Sequence, residues 1–136
     1  MYFCCMENEV NESFEILLAA CQTADSNLAV AYKQLRDLLE RLCRAQMQDE
    51  SLQMTDLSAR ISFVSARAGL TIVEQNRLHT FRLTSNAILN RKEEPVREKL
   101  LRDAKTLAFF IRKLYEVEIP GELYHLLPRA CLLYTS

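Results

Sequence analysis

The feature that most constrains this chain is an apolar stripe between Leu28 and Met47. Leu28, Ala31, Tyr32, Leu35, Leu38, Leu39 and Leu42 recur at intervals of three and four residues, and Cys43 and Met47 continue the line. Among regular structures, a 3.6-residue period gathers such positions on one side of an α-helix. Lys33, Arg36, Asp37, Glu40, Arg41 and Arg44 fill much of the remaining surface, with Asp37–Arg41 and Glu40–Arg44 at pairing distance along the helix. Such a helix must bury its stripe against other elements. The rest of the chain offers helices for the purpose: only two Gly and three Pro occur in 136 residues, and strong helix formers dominate.

Read in order, a first helix is predicted from about Glu12 to Gln22, capped by Asn11, with Phe14, Leu17, Leu18 and Cys21 inward. Asp25 or Ser26 caps the second, about Asn27–Met47. After a polar connector, Gln48–Met54, Thr55 or Asp56 starts a third through Ala68, burying Leu57, Ile61 and Val64. Gly69 sits where a left-handed terminator belongs. Thr71 and Glu74 form a capping-box pattern that opens the fourth helix, ending near Asn90 or Arg91. Pro95 takes an early position in the fifth, which runs to about Tyr115. Its inward residues are Val96, Leu100, Leu101, Ala104, Leu107, Ala108, Ile111, Leu114 and Tyr115. Pro120 breaks the pattern, and residues 122–127 form one more short turn. The fold class expected is all-α, an antiparallel bundle of about five helices joined by short loops.

Charge and cysteine usage narrow the function classes. A net charge of −1 gives no basic nucleic-acid footprint over the whole chain. No apolar run is long enough to span a bilayer, and MYFCCM at the start lacks the basic leader and length of a secretion signal. Cys4, Cys5, Cys21, Cys43 and Cys131 form no CxxC pair and no ligand spacing with His79 or His125, so neither a disulfide framework nor a zinc site is expected, and a cytoplasmic setting is. Two glycines cannot build a phosphate-cradling loop, and no GxSxG elbow exists. No cofactor is expected. Met6 is read as the start of translation, with residues 1–5 as upstream read-through. CLLYTS, at 131–136, resembles a translated sequencing adapter. The expected organisation is therefore one helical domain over 6–118, with 119–130 opening a connector to a downstream region.

The fourth helix carries the candidate site. His79, Arg82, Asn86 and Asn90 are spaced three, four and four residues apart, one turn above another on one face. Glu40, flanking the stripe of the second helix, is a candidate neighbour that could reach inward. Polar groups beside a core-facing surface require partners. One account is a network of Arg82, Asn86 and Glu40 tying the second helix to the fourth. The other is chemistry.

The order Ala31-Tyr32-x3-Arg36-x2-Leu39-Glu40, Leu57-x3-Ile61, a Gly turn, Leu78-x2-Phe81-Arg82-x3-Asn86-x3-Asn90 and a final long apolar helix resembles the HEPN-like helical domains. In particular it resembles the group fused to the N-termini of restriction-enzyme and helicase polypeptides. The texture of the fourth and fifth helices is also similar to the N-terminal region of Bacteroidales superfamily 1 helicase–nucleases. In active HEPN ribonucleases an Arg and a following His in Arg-x3-Asn-x3-His cleave RNA without metal, usually across a dimer. Arg82 and Asn86 match that pattern, but Asn90 stands at the His position, and an amide does no acid–base work near neutral pH. His79 is on the correct face but precedes Arg82. The resemblance thus implies a non-catalytic accessory or docking domain of a larger nucleic-acid-processing ATPase. Its partners would be the downstream part of its own polypeptide or a second copy, with nucleic acid engaged only through the parent protein. A metal-independent ribonuclease using Arg82 and His79, and a free-standing antitoxin-like interaction protein, are the alternatives.

Overall fold

The computed structural model describes residues 2–47 and 56–128, with the backbone alone described for residues 2–6. The expected 48–54 connector, the Thr55 cap and the 131–136 tail lie outside the described residues. Among the described residues the elements are six helices and no strand: α1 (Tyr2–Thr23), α2 (Leu28–Gln46), α3 (Leu57–Arg67), α4 (Ile72–Leu89), α5 (Arg97–Tyr115) and α6 (Gly121–Leu126). No helix is long and apolar enough to cross a membrane.

α2 is the hub. It contacts α1, α3, α4 and α5, and buries Ala31, Tyr32, Leu35, Leu38, Leu39, Leu42 and Cys43, the stripe read from its period. Its cap is Asn27, whose side chain accepts the Val30 N–H, rather than Asp25 or Ser26. Residues 23–26 instead continue the hydrogen-bonded turn that closes α1. Leu17 of α1, Ile61 of α3, Phe81 of α4 and Leu107 of α5 complete a continuous core. Each such side chain contributes about 1.5–3 kcal/mol by leaving water.

Several further expectations are corrected. α1 begins ten residues earlier than its predicted start at Glu12, so Asn11 lies inside the helix and caps nothing, and Val10 joins the core. α5 begins after Pro95, with Val96 as its N-cap and 54 % exposed rather than inward. Phe110, absent from the predicted inner face of α5, is buried. The core also continues past residue 118, since α6 packs on α1 and buries Leu123 and Leu127.

The ends of α4 follow the sequence closely. Thr71 accepts the Glu74 N–H while the Glu74 carboxylate accepts the Thr71 N–H at 2.8 Å. Gly69 adopts φ +83 between α3 and α4, and Leu70 N–H reaches back to the Ser65 carbonyl, so orphan carbonyls of α3 are satisfied. At the other end of α4, Arg91 takes φ 59 and Lys92 N–H bonds the Ala87 carbonyl, a left-handed stop made without glycine.

Candidate functional site

The capping box fixes the start of α4, and its period does the rest. His79, Arg82, Asn86 and Asn90 fall within a band about 80° wide. That band lies on the α3 side, because His79 Nε2 is 3.0 Å from Ser62 Oγ of α3. His79, Arg82 and Asn86 are half-buried; Asn90 is exposed and forms the C-cap of α4. Partial burial, and then the Arg82 guanidinium, hold the His79 ring below its ordinary range, so it is mostly neutral near pH 7. Arg82 Nε is buried with no hydrogen-bond partner among the described residues.

Glu40 does not join this stripe. It pairs with Arg36, one turn earlier on its own helix, at 3.5 Å, with both side chains more than a quarter exposed. Among the described residues no hydrogen bond or ion pair links Glu40 to Arg82 or Asn86. Glu40 thus does not tie α2 to α4; Tyr32 makes a polar side-chain tie instead, from α2 to α5. Its ring is fully buried and stacks on Phe81 of α4, with centroids 6.2 Å apart, while its hydroxyl donates to Asp103 Oδ2 of α5 at 2.9 Å.

Chemically, the stripe assembles little. Ser62 and His79 stand as a nucleophile and base would. Yet no carboxylate orients the second ring nitrogen among the described residues, and neither residue lines the cavity between α4 and α5. No group of three or more His, Cys, Asp or Glu could hold a metal among the described residues. Cys21 and Cys43 are buried, and burial pushes their thiols up to about 11 and about 12, far from the reactive thiolate.

A cavity of about 430 Å³ opens elsewhere, between α4 and α5. Leu78, Phe109 and Phe110 make its apolar wall, and Arg102, Asp103 and Lys105 are among its polar lining. Burial is the main cause that pushes the Asp103 carboxyl up to about 6. The Tyr32 hydroxyl, Lys99 and Arg102 act against that rise, and Glu93 adds to it. Neither Asp103 nor Tyr32 was evident as a pair from sequence, since 71 residues separate them. One signal was present: Asp103 stands three residues after Leu100 and four before Leu107, so a carboxylate occupies a position of the apolar stripe of α5. Ser62 gave no such signal.

No protein-family profile matches the chain, and neither a curated protein nor a solved structure is significantly similar to it.

Proposed function

We propose that this chain is a non-catalytic helical docking domain that engages another polypeptide surface through the outer side of α4. The observation that carries this reading is the failure of α4 to bury its own apolar residues. Ile72 is 69 %, Val73 59 % and Leu83 57 % exposed. Ile72 and Leu83 are three turns apart and therefore share one side. Large apolar groups aligned on one helix are what a partner helix recognises. The partner surface is a second copy or another part of a longer polypeptide, in keeping with the HEPN-like accessory domains of nucleic-acid-processing ATPases that the helix order resembles. Sedimentation velocity from micromolar to near-millimolar concentration tests the second-copy case. Concentration-dependent association that Leu83→Asp abolishes, without change in melting temperature, supports docking through α4. A monomer at every concentration removes self-docking.

A second reading is a metal-independent ribonuclease, favoured by one observation: His79 and Arg82 lie close enough for the guanidinium charge to depress the imidazole. In that reading Arg82 holds the scissile phosphate and His79 moves the proton. RNA cleavage by the purified chain that Arg82→Ala abolishes would establish it. Cleavage that is absent, or unchanged by the substitution, eliminates it.

A further inference from the structure

The cavity between α4 and α5 does not include Ile72 or Leu83, and its lining joins apolar side chains to charged ones. Its apolar lining includes Leu70, Val73, Leu78, Phe109 and Phe110, and the cations Arg77, Arg102 and Lys105 line it too. Arg102 is exposed, and Lys105 donates to the Pro128 carbonyl at 3.0 Å, a bond that occupies one of its three donors. Lys105 Nζ and the Arg112 guanidinium both stand 5.9 Å from the Phe109 ring centre, so positive charge gathers around the aromatic wall.

The two acids of the lining each have partners already. The Glu74 carboxylate accepts the Thr71 N–H and sits 3.8 Å from Lys113. Asp103 accepts the Tyr32 hydroxyl, and although burial pushes its carboxyl up to about 6 it remains mostly ionised near pH 7. The charge of the chain is also segregated. Lys33 is its first basic residue, so α1 carries Glu7, Glu9, Glu12 and Glu15 with no cation of its own, and the cations lie beyond it. A cavity of this volume is the size of small-ligand pockets, which pair apolar walls with a few placed polar groups.

From this mixed lining we infer that the α4–α5 cavity binds a small organic anion with an apolar body, an aromatic or aliphatic carboxylate, sulfonate or phosphate ester. The body lies against Phe109 and Phe110 and the head group meets Arg102 and Lys105. The inference stands apart from the docking reading because Ile72 and Leu83, which that reading aligns on one side of α4, do not line the cavity, although Val73 does.

The test uses anilinonaphthalene sulfonate, itself an apolar anion, with the neutral N-phenylnaphthylamine and inorganic phosphate as the two half-ligands. The expected result is saturable one-to-one binding of the sulfonate, weakened about tenfold or more by Arg102→Gln combined with Lys105→Gln, as loss of charge-assisted contacts requires. Binding of the neutral analogue should be unchanged by the same pair. Amide resonances of Thr106 and Phe109 should shift on titration, and decanoate should compete whereas phosphate should not. Equal weakening of both dyes, non-saturable binding, or binding of the sulfonate untouched by the double substitution would overturn the inference. Competition by phosphate alone would overturn it too, since the apolar wall would then be irrelevant. Because Arg102 is exposed and Lys105 half-buried, an unchanged thermal melt shows that the variant is folded when binding is read.

Discussion

α2 and α4 are helices of similar length that solve opposite problems. α2 sorts its residues: its whole apolar stripe is buried or half-buried, and of its large apolar side chains only Val30 is exposed. α4 does not. It buries Thr84 and Ser85 beside Leu78 and Phe81, and leaves Ile72, Val73, Leu83 and Leu89 in water. A helix with one apolar side is defined by the core it joins. A helix with apolar residues on two sides, and polar ones in its buried face, is defined by local signals and by whatever else touches it. α4 opens on a full capping box, where α2 has the single Asn27 cap and α5 begins at Val96 with no side-chain cap. Both α4 and α5 end in a left-handed residue, Arg91 and Glu116.

The comparison is open to measurement. Leu39 of α2 is fully buried, so Leu39→Ala should cost about 2–5 kcal/mol in urea unfolding. A loss below 1 kcal/mol would show that α2 is not the hub.

The next effect concerns the tie from Tyr32. The folded state binds the Asp103 proton more tightly than the unfolded chain, where the carboxyl has its usual 3.8. The contribution of this group is therefore fully present below about pH 4 and is lost as pH rises through about 6. Asp103→Asn, an uncharged isostere, should flatten the fall in stability across that window and leave the protein at least as stable at pH 7. An unchanged pH profile would mean that the aspartate is solvated.

A smaller loss is expected where α4 depends on its caps. Thr71→Ala should destabilise by about 1 kcal/mol and loosen amide protection in the first turn of α4 by hydrogen exchange. The smallest effect is Leu83→Lys, within about 0.5 kcal/mol of the parent in the monomer. A clear destabilisation there would mean that the outer side of α4 is already covered.

How far each element was legible follows from the same contrast. The α2 stripe reads directly because burial and periodicity coincide. Thr71, Glu74, Gly69 and the α4 end near Asn90 read because caps are local chemistry. The first turns of α1 did not, because Asn11 offers a credible cap and nothing nearby shows that the helix has already started. Phe110, three residues after Leu107, lies on the flank of the α5 stripe, while Phe109 falls opposite Leu100, so the period already favoured Phe110 as the inward ring. At the site, the spacing placed His79, Arg82 and Asn86 on one face, as found, but the reach of Glu40 depends on a neighbour: Arg36, on the same helix, holds it. Tyr32 and Asp103 meet only through the tertiary fold, so no local pattern could pair them.

The buried thiols of Cys21 and Cys43 give the molecule its own clock. A thiol that no reagent can touch in the closed state reacts only when its helix lifts away, so its modification rate counts openings. With Cys4, Cys5 and Cys131 replaced by Ser, the two remaining thiols would time separate events: Cys21 the detachment of α1, Cys43 the exposure of α2. Equal rates would describe a bundle that opens all at once; a faster Cys21 would describe one that first lets go of its acidic helix.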